Sequence, residues 1–250
     1  DPLPVFEARV LGRPPVEAED QLIPFLWASS AQRPVTEGIS GERVLGLDVA
    51  RHGSASSAII YRVGDHVLWV KRQRGNDTTV TSDWLMAEIK ENEADVAYID
   101  EIGIGGACVD QCIRAGAPVQ GVNVQRQAMQ KTRFSNMRHE LWWTVREKLR
   151  TGEMTLPFDD DLIADLTCIK YSFDPLGRIQ VEEKEQTIKR LGRSPDAGDA
   201  LALSYMGNVP GSTRESLEYA TISTDPAAWF HQGSRWSVNS GRQRRSWKVR

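Results

Sequence analysis

Residues 43–50 read RVLGLDVA, a short apolar run that stops on an aspartate, Asp48. A run this short, bounded by polar residues, reads as a buried β-strand. The carboxylate at its end is costly to bury unless a cation or a proton pairs it. The same arrangement recurs twice. ADVAYIDEIGIGG at 94–106 runs into Asp100, and SPDAGDALALSY at 194–205 sets Asp199 directly before Ala-Leu-Ala-Leu. Three such carboxylates invite a divalent metal, because Mg²⁺ and Mn²⁺ prefer hard oxygen ligands. They point to metal-dependent phosphodiester chemistry.

The flanking sequence supplies a frame for these strands. SAIIYRV at 57–63 and HVLWVKR at 66–72 flank Gly64-Asp65, a hairpin signal. Residues 80–93 read as an amphipathic helix, 95–100 as a strand, 106–115 as a helix and 119–124 as a strand. The order β-β-β-α-β-α-β implies antiparallel strands first and parallel crossovers after. Residues 135–151 carry Leu141, Trp142, Val145 and Leu149 at helical spacing. A short helix follows at 161–169, then a second hairpin around Asp174-Pro175-Leu176-Gly177. The closing helix begins at SPDAGDAL, with Ser194 as its expected N-cap and Pro195 at the first helical position.

Three segments are expected. Residues 1–40 are proline-rich with short apolar anchors, an extended arm with a short helix near 26–32. Residues 41–208 hold the periodic signals of a domain. Residues 209–250 lose periodicity and end in a basic, partly disordered tail. The chain has 250 residues, 40% apolar, enough for one substantial core. Its net charge of −3 does not advertise a nucleic-acid binder, although a global balance hides local patches. Three cysteines without repeated spacing argue against a disulfide framework, and Cys108 and Cys112 lack the partners of a zinc site. No signal-peptide pattern opens the chain, and no apolar run approaches the roughly 20 residues needed to span a bilayer. The composition reads as that of a cytoplasmic protein with no membrane partner.

Each acid also has a plainer reading. Asp48 can be a turn aspartate capping its strand. Gly103, Gly105 and Gly106 after Asp100 either admit a phosphate to the backbone or simply start a helix; the chain has no GxxxxGK[ST] nucleotide loop. Asp196 suits dipole compensation in a first helical turn. Asp199 is harder to dismiss because an apolar helix follows it directly, so it reads as a ligand, with Asp196 orienting it or a water from behind. Glu101 points opposite to Asp100 if the strand continues, or bends round as an auxiliary ligand. The order strand–Asp, strand–Asp, helix–Asp is more specific than any single acid. A ribonuclease H-like sheet presents carboxylates in this way, and two ions about 4 Å apart then serve hydrolysis.

The same stretches resemble the C-terminal nuclease domain of the large terminase subunit of tailed bacteriophages and prophages. GERVLGLDVARHG at 41–53, YIDEIGIGG at 98–106, FSNMRHELWWTVREKLRTGEMTLP at 134–157 and KRLGRSPDAGDALALS at 189–204 follow that family's pattern in order. The arm, with FEARVLGRPP and LIPFLWASSAQ, is similar to the segment joining the family's packaging ATPase to its nuclease. The resemblance implies an α/β fold, RNase H-like, with a mixed central sheet flanked by helices. It implies an endonuclease that cuts concatemeric double-stranded viral DNA during packaging, through two-metal activation of water with low sequence specificity. Asp48, Asp100 and Asp199 take the positions of catalytic metal ligands for Mg²⁺ or Mn²⁺, two ions in all. The implied partners are double-stranded DNA, the terminase ATPase domain, the portal protein and the small terminase subunit, in the cytoplasm of an infected or lysogenic bacterial host. The ATPase half is absent from these residues, so the chain reads as a piece of a longer protein or a split-gene product, and as a monomer by itself. One departure stands out: where relatives carry a further aspartate in a G-x-D-x-S turn, this chain has Ala55. That leaves an alternative, a weakened module that mainly docks DNA, motor or portal.

Duplex binding needs Lys and Arg facing phosphates. The candidates are Arg51, Arg126, Lys131, Arg133, Arg138, Lys189 and Arg193, with Lys184 and Arg190 beside them. QRQAMQKTRFSNMR at 125–138 reads as a flexible basic element near the site or as an exposed connection. Trp142 and Trp143 read as core anchors, His52 as a surface residue, and Glu140 as a surface or salt-bridge residue.

Overall fold

The structure, a computed structural model, describes residues 20–35, 38–50, 56–75 and 77–209. Arg51, His52 and Ala55, most of the arm and the basic tail lie outside the described residues. Five strands form the central sheet: β1 (Arg43–Asp48), β2 (Ser56–Val63), β3 (His66–Arg74), β4 (Val96–Asp100) and β5 (Val119–Val122). Their order is β3-β2-β1-β4-β5. β1 pairs antiparallel with β2, and β2 with β3, whereas β1–β4 and β4–β5 are parallel. This is the mixed sheet expected from the order of the elements. Its consequence for the site is simple: β1, β4 and β5 all end at the same edge, so Asp48, Asp100 and Val122 leave the sheet together.

Side chains alternate between the two faces of the sheet. Leu45, Leu47, Ala97 and Ile99 pack in one apolar cluster with Leu85 and Ile89 of α2 (Thr78–Glu91) and with Cys108, Val109 and Cys112 of α3 (Gly105–Arg114). Val44, Ala58, Ile60 and Tyr98 face the other way, into a cluster with α4 (Met137–Arg150), α5 (Asp160–Thr167) and α7 (Asp196–Ser204). By the same alternation Asp48 and Asp100 belong to this second face. A register slip of one residue in either strand would move its acid to the opposite face, away from α7. Gly46 lets α7 lie close to β1: a Cβ there would sit 2.1 Å from the Ala200 carbonyl oxygen. Gly105 does the same for the start of α3, where a Cβ would fall 1.8 Å from Asp100 O.

Several local expectations need correction. The arm does more than pack on the surface. Leu22 and Ile23, with Phe25, Ala28 and Ala31 of α1 (Phe25–Ala31), are buried in the main core. A helix that the sequence reading omits, α6 (Lys184–Leu191), follows the hairpin β6 (Tyr171–Phe173) and β7 (Ile179–Val181). Its pattern is weak because Thr187 is its only buried residue. Pro195, not Ser194, occupies the N-cap of α7, and no side chain caps that helix end. Glu140 is buried rather than exposed. Among the described residues, no helix is long and apolar enough to cross a membrane.

Candidate metal centre

Lys184 lies at the middle of the cluster. Its ammonium donates to Asp48 Oδ2 at 2.6 Å and lies 3.4 Å from both Asp196 Oδ1 and Asp199 Oδ2. Three carboxylates from two separate elements therefore surround one cation at the carboxyl edge of the sheet. Asp100 is the fourth acid, on the neighbouring strand, its Oδ1 accepting from Ile102 N at 3.0 Å. Ser56 Oγ, at the start of β2, donates to Asp196 Oδ2 at 3.3 Å.

The electrostatics follow from crowding acids out of water. Burial pushes the Asp48 carboxyl up to about 7; Lys184 opposes the shift and Asp199 and Asp196 add to it. Burial pushes Asp100 up to about 6, against the Ile102 N–H and with a contribution from Asp199. Asp199 goes the other way. Burial raises it, but Arg138, Lys184 and the Trp142 hydrogen bond together hold it below the usual carboxylate range. Burial opposes the charge of Lys184, yet Asp48, Asp199 and Asp196 hold its pKa above the ordinary lysine value.

Helix α4 orients Asp199. Arg138 and Trp142 are four residues apart and share a face. Arg138 Nη2 donates to Asp199 Oδ1 at 3.2 Å and Trp142 Nε1 donates to the same oxygen at 2.9 Å. Oδ1 is thereby occupied, while Oδ2 is buried and makes no hydrogen bond, having only the 3.4 Å ion-pair contact with Lys184. Arg138 Nη1 also donates to Glu182 O at 2.7 Å, which anchors the chain just before Lys184. Asp165 Oδ2 accepts from Ala197 N at 3.1 Å and pairs through Oδ1 with Arg193, tying the first turn of α7 to α5.

The remaining residues proposed from sequence divide into three groups. Lys131, Arg133 and Lys189 are exposed. Arg126 is near the site, with Nη2 3.9 Å from Glu101 Oε1. Arg138 does not face outward to phosphate, because it is buried on Asp199, whereas Arg193 pairs with Asp165 and stays partly exposed. Lys184 appeared in sequence only as one more basic residue, since nothing in VEEKEQ signals that the lysine turns inward. Trp142 was legible as a core anchor, but its bond to Asp199 was not, because helical spacing shows a face and not its partner.

The cluster fits hard divalent cations. Its donors are buried carboxylates, two of them raised by mutual repulsion and burial, and Asp199 Oδ2 lacks a hydrogen bond. Among the described residues, no three His, Cys, Asp or Glu side chains are already drawn around one metal-sized point; the Lys184 ammonium lies between them. The mixed sheet, with acids at one edge and α7 bringing Asp196 and Asp199 across to them, has the RNase H-like architecture.

Solved structures similar to this chain include nuclease domains of phage large terminase subunits. One is the nuclease domain of the large terminase subunit gp2 of bacterial virus Sf6, with 20% identity, 73% of this chain and 97% of that chain covered, and a TM-score of 0.63. A lysine-to-alanine mutant of the Sf6 domain, with manganese and β-thujaplicinol, matches at 19% identity over the same shares with a TM-score of 0.66. The large terminase nuclease from thermophilic phage G20c, with bound magnesium, matches at 14% identity, 75% and 97% coverage and a TM-score of 0.57. At these identities the likeness establishes the fold. No family model matches the chain, and no characterised protein sequence does.

Proposed function

We propose that this chain is a metal-dependent endonuclease that cuts concatemeric double-stranded viral DNA during genome packaging, with low sequence specificity. The observation that carries the reading is the gathering of Asp48, Asp196 and Asp199 around the single ammonium of Lys184, with Asp100 at the end of the strand paired beside that of Asp48. The fold likeness adds to it, since the similar Sf6 and G20c domains are terminase nucleases and their structures include manganese and magnesium. Mg²⁺ or Mn²⁺, two ions, is the proposed cofactor, and the ions supply the Lewis acidity that phosphodiester hydrolysis by water requires.

The protein's part is to hold the ligands. Asp48, Asp100 and Asp199 bind, and Asp196 supports Asp199 from the same helical turn. Arg138 and Trp142 fix Asp199 so that Oδ2 stays turned into the site. Lys184 sits among the acids and offsets part of their mutual repulsion. Arg126, Lys131, Arg133 and Lys189 hold the DNA backbone, which positions the duplex without reading its bases. Duplex DNA, a packaging ATPase domain, the portal protein and the small terminase subunit are the proposed partners, and the host cytoplasm the proposed compartment.

The test is plasmid cleavage with Mn²⁺, with Mg²⁺ and with EDTA. Nicking and linearisation with either metal, abolished by EDTA, supports the enzyme. No cleavage by folded protein with either metal transfers the proposal to a docking module, in which Lys184 and Ala55 mark a disabled site.

A further inference from the structure

The segment between β5 and α4, residues 123–136, holds most of the stretch 125–138 that reads in sequence either as a flexible basic element near the site or as an exposed connection, and the structure bonds it at three levels. At its base, Met137 N donates to Arg126 O at 2.8 Å and Arg138 N to Val124 O at 2.9 Å. At its far end Phe134 is buried against Ala128 and Ile179, and Ile179 N donates to Arg133 O at 2.8 Å. Between them stands Glu140 of α4. Its carboxylate is buried and accepts from Met129 N at 2.7 Å, from Gln130 Nε2 at 2.9 Å and from Gln130 N at 3.3 Å. All of these bonds go to two consecutive loop residues. A buried carboxylate is tolerated only where donors surround it, so Glu140 and this one loop conformation require each other.

The loop also starts in a telling place. Val122 pairs with Asp100 across β5 and β4, so the segment leaves the sheet beside the acid cluster. Arg126 lies 3.9 Å from Glu101, the residue after Asp100. Lys131 and Arg133 stand exposed between the Glu140 anchor and the Phe134 anchor. Arg133 is steadied further by the Gln130 side chain, to which Nη1 donates at 3.2 Å, and by the Phe134 ring.

We propose that Glu140 is a positioning residue: it fixes residues 128–134 as a rigid ledge from which Lys131 and Arg133 grip the phosphate backbone of duplex DNA next to the carboxylates. The inference rests on the nuclease reading and names an element that holds that nuclease's substrate. A ledge ordered before binding spares the ordering cost that a mobile basic loop would pay on contact.

The experiment is fluorescence anisotropy of a labelled DNA duplex in EDTA, where cleavage cannot intervene, as a function of salt. It compares wild type, Glu140→Gln, Gln130→Ala and the pair Lys131→Ala with Arg133→Ala. The pair is expected to weaken binding about tenfold and to flatten the salt slope by about two charges. Glu140→Gln should reproduce most of that loss although it removes no contact with DNA, with faster hydrogen exchange at the Met129 and Gln130 amides. With Mn²⁺ its defect should appear in KM rather than kcat. Gln130→Ala, which leaves Glu140 in place, should weaken binding about twofold. Wild-type affinity and salt slope in a folded Glu140→Gln protein overturn the proposal. If that variant does not fold, Gln130→Ala decides: weaker binding supports the ledge, and unchanged binding overturns it. A wild-type protein that binds no duplex sinks the nuclease reading together with this one. Wild-type protein that binds and cuts while both variants match it sinks the ledge alone.

Discussion

The two faces of the sheet are built from the same strands and both carry an apolar cluster, but only one adds the acid cluster to it. On one, Leu45, Leu47, Ile59, Ala97 and Ile99 meet α2 and α3 in an apolar layer. On the other, the same strands present Asp48, Asp100 and the buried Arg62 to helices that carry Trp142, Arg138, Asp199 and Ser204. The alternation of a strand places a stabilising residue and a costly one side by side, Leu47 next to Asp48 and Ile99 next to Asp100. Both faces stabilise through their apolar clusters, and the second also holds, at the strands' carboxyl ends, acids that repel one another and are offset by Lys184. Substituting the acids and substituting the apolar layer should therefore separate activity from stability.

The largest separation is expected at Asp100. Asp100→Asn should lower plasmid cleavage on the order of 10³-fold, because the proposed site loses a ligand. The same substitution should leave the melting temperature unchanged or higher, since burial holds this carboxyl up at about 6 and its charge is a cost at pH 7. Leu45→Ala, one sheet face away, should do the reverse. It should cost about 2–5 kcal/mol in urea unfolding by opening a cavity, with cleavage per folded molecule intact.

A smaller effect concerns pH. His139 is enclosed between Ser135, which lies 2.9 Å from Nδ1, and Glu183, 3.6 Å from Nε2. Burial and then the Arg138 and Arg178 charges push its pKa down from 6.5 to about 4. The neutral ring favours the folded state above pH 6.5. As pH falls from 6.5 towards 4 the unfolded chain takes up a proton that the folded chain refuses, and stability is lost. Allowing for solvent screening, the loss is about 2 kcal/mol. Comparing wild type with His139→Gln in urea unfolding across that range isolates it, because the carboxylates common to both proteins cancel. A difference between the two that does not change with pH would remove His139 from the account.

The finest test concerns one oxygen. Trp142→Phe keeps an aromatic ring in the core, at the cost of a cavity beside Gly198, and removes the N–H that occupies Asp199 Oδ1. Removing a partner that orients a metal ligand typically costs 10–100-fold in affinity, and about tenfold weaker Mn²⁺ binding is expected here, because Arg138 still holds the same oxygen. Equal affinity in the two proteins would reduce Trp142 to a core residue.

How much of this was legible in sequence follows from where the information lies. The strands ending in Asp48 and Asp100, the hairpin at Gly64-Asp65 and the position of Asp199 before an apolar helix are local patterns, and all were readable. Lys184 was not, because α6 shows a single buried residue and its inward lysine depends on three acids up to 136 positions away. Arg138 looked like a phosphate contact because a basic loop precedes it, yet one turn of α4 carries it down to Asp199. Glu140 failed for a related reason: a charged residue in a helix reads as exposed unless the backbone amides that surround it are known, and those belong to a loop without periodicity. Local sequence shows which groups are costly to bury, and tertiary contacts show what offsets the cost.

The most direct measurement is calorimetric titration of Mn²⁺ into wild-type protein and into Asp199→Asn at pH 7. The account predicts saturable binding to the wild type, weakened at least tenfold by the substitution. Absence of binding to the folded wild type, or equal binding to both proteins, would contradict a metal centre built on these carboxylates.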